Sequence, residues 1–466
     1  MLSVVTGWAS KSLAQPVFES ADPATEQLIL RAAAGPAGLG RSLSMLTRSG
    51  DFSAVDQLLI QAANQPGDAK DQAITASKIG PKERLRLLTS DLISPQAKSY
   101  LDQLFKSRRQ QSEDPNQITA AINQLKTASP DQRLAAMRIL FEGGRSAIAG
   151  LLTAVTSNQT ETTNKRDSRH CDELLSIALR LDRDATLSGL RRLALYGQPT
   201  TRASAIDALN RVVNPTESIE ALLTALHAVD VPADNARNET TLATEHLLRK
   251  GIGIPTRSDS LQHLRRQLES ATDAASKLIR EPGRDVIWTM NPERVGVATQ
   301  TASPLQVAYR HAADVATQLT RVGDDDPTSI VNQQIAQLAY RVINDPDWGD
   351  ADQVQTFVKN FSVQASELNR LLNASVAITN DPATLGLIRI AGNVGDVTLL
   401  RDESGQVTPL VQMIDHPHPT IRFEAARIIA NLLDEHLADR DLRSFDYAGQ
   451  HRVRKRLESM TRLDQQ

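Results

Sequence analysis

Three stretches of this chain superimpose without a gap: PDQRLAAMRIL at residues 130–140, PTTRASAIDAL at 199–209 and PTIRFEAARII at 419–429. Each opens on proline, has arginine three residues later and alanine three after that, and carries an aliphatic residue ten after the proline. The residues concerned are Pro130, Arg133 and Ala136; Pro199, Arg202 and Ala205; and Pro419, Arg422 and Ala425. Proline suits the first position of a helix, where its missing N–H would lack a partner anyway and its fixed φ is already helical. An alanine two turns in lets a neighbouring helix approach closely. The arginine, one turn in, can lie along the seam and donate to carbonyls or carboxylates of an adjacent unit. The spacing therefore predicts one helix type used three times, with Arg133, Arg202 and Arg422 holding neighbouring units together.

The rest of the 466 residues fits that reading. From Glu26 onward the chain alternates amphipathic segments with short breaks of Pro, Gly, Asn or Asp. Val55 to Asn64, Ile118 to Lys126, Leu174 to Leu181, Ser218 to His227, Leu261 to Ile279, Ala308 to Arg321 and Val354 to Leu372 are the clearest helices. No period-2 run is long enough to predict a strand. Hydrophobic residues make up 40% of the chain but aromatic ones only 3%, which argues against a large β-sandwich or barrel, since those fill pleated surfaces with β-branched and aromatic side chains. Helices joined by tight turns leave an all-α fold, either a bundle or a solenoid, and the internal repetition selects an α-α superhelix. The interval from Glu281 to Ser303, interrupted by Pro282, Gly283, Trp288, Pro292 and Gly296, reads as a long surface loop, and the polar stretch from Ser157 to Ser168 as another.

One stretch is specific enough to resemble a known family. PLVQMIDHPHPTIR at residues 409–422, continuing through Ala425 and Ala426 to Leu432, resembles a HEAT repeat. The resemblance implies a first helix ending at an Asp-x-Pro turn and a second opening with an Ile-Arg pair and paired alanines. It also implies that Asp415 and Arg422 occupy the positions whose side chains form ladders between repeats. The units at Pro130 and Pro199 keep the arginine and lack the aspartate, and the three openings stand at unequal intervals in place of the regular period of about 40–47 residues. Residues 1–14 then read either as an ordinary first helix or frayed terminus or as a truncated signal-peptide remnant, and 15–110 as an N-terminal helical region. Residues 111–250 read as HEAT-like repeats, 251–380 as a helical insert or degenerate repeats, and 381–466 as C-terminal HEAT-like repeats with a basic tail.

The search for chemistry returns little. GxSxG, HExxH and Walker A sequences are absent. Gly251 and Gly253 lack the third glycine of a dinucleotide loop and read as a helix C-cap after Lys250, while Gly35, Gly38 and Gly40 read as a helix-breaking turn. His416 and His418 beside Asp415 offer metal-competent side chains, but the repeat alignment places them in an inter-helix turn. Asp324, Asp325 and Asp326, and the acidic run from Asp345 to Asp352, do not fit a calcium loop and suit helix N-termini. Cys171, the single cysteine, follows Arg169 and His170 and reads as an inert thiol; one cysteine excludes an internal disulfide framework and thiolate-rich zinc or iron–sulfur sites. No catalytic residue, cofactor or metal site is expected.

With Lys+Arg 52 against Asp+Glu 55 the net charge is −3, too balanced for a general affinity for nucleic acid or anionic lipid. The tail HRVRKR at 451–456 is a local basic run that reads as a solvated helix face. Residues Leu2 to Ala9 with Ser12, Leu13 and Ala14 have the shape of a secretory apolar region and cleavage site without a basic n-region, so both a cytoplasmic and an exported location stay open. No other stretch approaches the 18 apolar residues of a membrane span. These readings converge on a non-catalytic protein-binding scaffold whose partner is another protein, met through the groove of a helical repeat stack. Two alternatives remain: a HEAT-like enzyme acting on a nucleobase or tetrapyrrole, which needs a convergent polar cluster, and a nucleic-acid-binding repeat protein, which needs a basic stripe.

Overall fold

The computed structural model describes residues 22–127, 129–157, 165–213, 217–231, 238–251, 253–278, 283–361, 365–400 and 407–437. Over these residues the protein is all-α apart from one two-stranded ribbon. The N-terminal segment 1–14, the tail 451–456 and the centre of the polar stretch after Ser157 lie outside the described residues. None of the described helices is long and apolar enough to cross a membrane.

Local chemistry explains where the helices begin. Eleven of them open on proline, so the proline of the repeated stretch marks a helix start generally. Pro130 opens α8 (Pro130–Ser157), Pro199 opens α11 (Pro199–Val212) and Pro419 opens α21 (Pro419–Leu437). α8 is two helices in series: Gly144, at φ 52° and ψ −124°, breaks the helical path in a conformation that only glycine adopts readily. α9 (Lys165–Leu181) begins inside the stretch expected to be loop.

The chain divides into two compact units, 1–151 with 176–183 and 152–175 with 184–466. In the first, α2 (Pro36–Ser49) packs on α3 (Phe52–Asn64) and α4 (Ala69–Ser77), and both of those pack on α6 (Pro95–Ser112). Leu43, Leu46, Val55, Leu59, Leu101 and Leu104 form its core. Gly40 lies within α2 rather than in a turn, and its bare Cα lets the Thr75 carbonyl of α4 approach where a Cβ would collide.

In the second unit, α15 (Pro304–Val322) packs against α12 (Ile219–His227), α14 (Arg257–Lys277) and α16 (Pro327–Asn344). α16 packs in turn on α19 (Asp381–Val394), and α19 on α21. One core joins α14, α15 and α16 through Leu264, Leu268, Val315, Leu319 and Ala336, and a second runs from Tyr309 through Leu338 and Leu387 to Ile428. Most of these fillers are aliphatic, which is how a chain poor in rings covers its helix seams.

The expected loop between Glu281 and Ser303 instead contains an antiparallel hairpin, β1 (Asp285–Met290) paired with β2 (Val297–Ala302), with Trp288 opposite Thr299. The burial along β1 does not alternate, because Ile287 and Trp288 are both buried, and β2 is exposed from Ala298 through Thr301, so neither strand carries the period-2 signal. Asn291 holds the turn by accepting from the N–H groups of Val295 and Gly296. The Trp288 indole N–H donates to the Ala185 carbonyl at 2.8 Å, tying the ribbon to α10 (Arg183–Tyr196).

Candidate functional site: a polar basin on α15

α15 is built as a confined helix. Ser303 and Gln306 close a capping box at its start: the Gln306 N–H donates to Ser303 Oγ and the Ser303 N–H to Gln306 Oε1, while Gly323 at φ 78° ends the helix. One face carries Ala312, Val315, Ala316, Leu319 and Val322 into the core. A second face carries Arg310, Asp314, Thr317 and Arg321, spaced four, three and four apart and therefore aligned along the helix. On a surface helix such a stripe would face water. Here Arg310 and Arg321 are buried, at 6% and 8% exposure; α10, α13 (Glu239–Arg249) and Asp230 supply the partners of Arg321, and the ribbon and Asp314 those of Arg310.

At the C-terminal end of the stripe, charge is matched. Arg321 donates to Asp230 Oδ1, to Glu239 Oε1 at 2.7 Å and to the Ala194 carbonyl. Arg202 donates from Nε to the same Glu239 oxygen at 2.9 Å, pairs with Asp230 Oδ2 at 3.2 Å and reaches the Gly197 carbonyl. Two guanidiniums thus face two carboxylates, an arrangement that locks α11, α13 and α15 in register.

Toward the centre of the stripe, charge is unmatched. Arg192 and Tyr196, one turn apart on α10, face Asp314, and the Arg192 guanidinium lies over the Tyr196 ring at 3.8 Å. Arg192 Nη1 and the Tyr196 hydroxyl both donate to Asp314 Oδ1, the latter at 2.7 Å. Tyr196 also sits 3.1 Å from Thr317 Oγ1, which accepts from Gln337 of α16 at 2.6 Å. Arg310 donates from Nη2 to the Trp288 carbonyl of the ribbon, and its Nε stands 3.9 Å from Asp314 Oδ2. Arg310 Nη1 and Arg192 Nε are buried with no hydrogen-bond partner. Arg192, Tyr196, Asp314, Thr317, Gln337 and Tyr340 are half-buried and Arg310 is buried, so together they make a polar cluster at the edge of the core.

Burial draws the Arg310 guanidinium below the ordinary arginine range, and the like charge of Arg192 adds to this. Burial acts on Arg192 in the same direction, but Asp314 and Tyr196 outweigh it and hold that side chain above its ordinary value. Burial, reinforced by Asp314, pushes the Tyr196 phenol well up, so it stays a hydrogen-bond donor at neutral pH.

The residues singled out from sequence fall in several places. Ala136, Ala205 and Ala425 are fully buried. The arginines part company: Arg202 enters the matched ion network, Arg133 is half-buried on α8, and Arg422 donates to the carbonyls of His416 and Pro417 at its own helix start. Asp415 is exposed at the end of a 3-10 turn (Met413–Asp415) that follows the short α20 (Pro409–Gln412). His416 lies 3.8 Å from Asp381, and His418 lines a cavity of about 580 Å³ with Leu305, Val342, Leu385 and Ile421. Asp324 accepts from Arg265, Ser329 and Gln333, and Asp326 caps α16. Cys171 is buried in α9, and no group of three candidate metal ligands occurs among the described residues. Gly251, at φ 71°, follows Lys250, the C-cap residue of α13, as a helix-terminating glycine. Of the whole set only Arg202 adjoins the α15 stripe. The basin residues were missed because Ala308 to Arg321 looks amphipathic, with its charged side turned to water. A usable signal was the arginine at 310 and aspartate at 314 standing on the same face as Arg321 in a segment whose other positions are mostly Ala, Val, Thr and Leu.

No family model matches the chain, and no curated protein is found to be similar to it.

Proposed function

We propose that this chain is a non-catalytic scaffold of HEAT-like helical repeats that binds another protein, and that the basin formed by α10, α15 and α16 is its contact site. The carrying observation is the unmatched guanidinium pair, Arg192 and Arg310, set beside two half-buried tyrosines. Arginine and tyrosine are the residue types on which interfaces concentrate their energy, and a chain with 3% aromatic residues has few other places to group them. The repeat reading draws support from the three Pro-x-x-Arg-x-x-Ala openings, each of which starts a helix and buries its alanine.

An enzyme reading also has an observation in its favour, because the basin is a convergent polar cluster. Its chemistry suits holding more than turning over. A general base needs a pKa near the working pH, whereas the Tyr196 phenol is displaced upward and the arginines donate without exchanging protons. Asp314 is engaged on both oxygens.

The test is affinity capture from the chain's native cells with wild-type and Arg192→Gln baits, both checked by circular dichroism for equal helicity. A protein retained stoichiometrically by the wild type and lost from the variant is expected. Identical sets retained by both baits would remove the basin from the interface.

A further inference from the structure

The first unit holds a cavity of about 990 Å³ between α1 (Pro23–Ala32), α2, α3, α4 and α6. Its room comes from small residues: Ala32, Ala34, Gly35, Ala62 and Gly67 all line it and reach little beyond the backbone. Ile29, Leu39 and Leu58 give it an apolar wall continuous with the core of that unit. Tyr100 lines it from α6 at 6% exposure. The Tyr100 hydroxyl has no hydrogen-bond partner among the described residues and, unlike the closed-off nitrogens of Arg192 and Arg310, stays accessible. A buried hydroxyl without a partner forfeits its hydration, so it marks a polar point in an otherwise apolar wall. Asp71, half-buried on α4, lines the same cavity. Burial pushes the Tyr100 phenol above its ordinary value and the charge of Asp71 adds to this, so the two groups sense each other. The Asp71 carboxylate has no ion-pair or hydrogen-bond partner among the described residues, whereas Asp68, the other acidic lining residue, caps α4 by accepting from the Asp71 N–H at 2.8 Å. No Lys, Arg or His lines the cavity among the described residues.

We infer, independently of the scaffold reading, that this cavity binds a small organic amine: its ammonium pairs with Asp71 and donates to the Tyr100 oxygen, and its apolar body lies against Ile29, Leu39 and Leu58. Charge selects a cation, because the lining carries carboxylates and no basic side chain, and an anion would be repelled. A metal ion fits poorly. It needs several oxygen ligands, Asp71 is the uncommitted carboxylate, and no group of three candidate ligands occurs among the described residues. The volume falls within the range of about 300–1,000 Å³ that small-molecule sites occupy. A lysine of another protein offers the same ammonium, but it would bring backbone amides against an apolar wall that has nothing to pair them.

Isothermal titration calorimetry of the full chain at neutral pH and fixed ionic strength provides the test, with 4-phenylbutylamine as the probe. Each of the comparison probes changes one feature. 4-Phenylbutan-1-ol removes the charge, 4-phenylbutyrate reverses it, methylammonium removes the apolar body, and N-acetyl-lysinamide sets the same ammonium on a peptide unit. The amine is expected to bind at least about ten-fold more tightly than any of these. Asp71→Asn should weaken it about ten-fold, to the level of the alcohol, and Tyr100→Phe, which removes one oxygen from an otherwise unchanged ring, should also weaken it by up to about ten-fold. Both variants are expected to keep the helicity of the wild type, since neither group has a protein partner to lose. No binding of the amine, equal affinity for the alcohol, or tighter binding of 4-phenylbutyrate or N-acetyl-lysinamide would overturn the assignment. An affinity unchanged in both variants would place the amine elsewhere on the chain and overturn it as well.

Discussion

Glu239 and His246, two turns apart on α13, are both buried and meet opposite fates. Glu239 gives one oxygen to both Arg202 and Arg321, and removing it leaves those two cations with Asp230 as their one carboxylate. Breaking a buried pair by deleting one partner costs far more than the intact pair contributes, because the survivor stays desolvated. Glu239→Ala is expected to lower stability by about 3–5 kcal/mol in urea unfolding, and a loss under 1 kcal/mol would show the network to be solvated in solution. His246 has no exposure and neither ring nitrogen finds a partner. Burial, aided by Lys250 and Arg249, lowers its pKa below 6.5. The ring is neutral in both states at pH 8. As pH falls through 6.5 the unfolded chain takes up a proton that the folded chain refuses, so stability is lost from there down to the depressed folded pKa. His246→Leu should therefore flatten the fall in Tm between pH 7 and 5, and an unchanged slope would place the titrating group elsewhere. The arginine of the repeat signature was legible at this scale as a buried donor only in Arg202; nothing in the local pattern tells Arg202, with its acceptors supplied from α13, from Arg422, which turns back to its own helix start.

At the scale of elements, the helices were the readable part. Proline at the first turn and apolar residues at helical spacing are local signals, and they located α3, α7 (Pro115–Thr127), α12, α14 and α15. The ribbon was hidden because its pairing is set by distant anchors, the Trp288 bond to Ala185 and the Arg310 bond to the Trp288 carbonyl, and not by alternation along either strand. Gly40 was hidden for a related reason: a glycine that admits a neighbouring helix looks in sequence like a glycine that ends one. Substituting alanine ordinarily stabilises a helix interior by about 0.5–1 kcal/mol. At Gly40 the new Cβ would strike the Thr75 carbonyl, a backbone atom that moves only if α4 moves. Gly40→Ala is therefore expected to destabilise by about 1–3 kcal/mol, read by chemical denaturation of the full chain. A gain in stability would mean that α2 and α4 pack less closely than described.

Across the whole molecule, the shortage of rings changes how stability is distributed. A core filled by Ala, Leu and Val between helices is shallow, so a helix resists opening in proportion to how many of its faces are covered, and its own length contributes little. α15 has ten of its nineteen residues buried, including the charged Arg310 and Arg321, because its neighbours cover more than one face. α5 (Pro81–Thr89), in the other unit, buries only Glu83 and Leu87. Native-state hydrogen exchange reads this difference directly, since amides in poorly covered helices exchange through cheap local openings and those in enclosed helices wait for larger ones. The slowest peptides in exchange mass spectrometry are expected to come from α15 and α16, and α5 should be among the fastest of the helices. The polar basin sharpens the expectation. Opening α15 would expose its aliphatic face and separate Asp314 from Arg192 and Tyr196 in one step, so Asp314→Asn should speed exchange in α15 and α10 and leave α5 unchanged. Exchange in α15 unchanged by that substitution would show that the aliphatic face alone holds the helix closed.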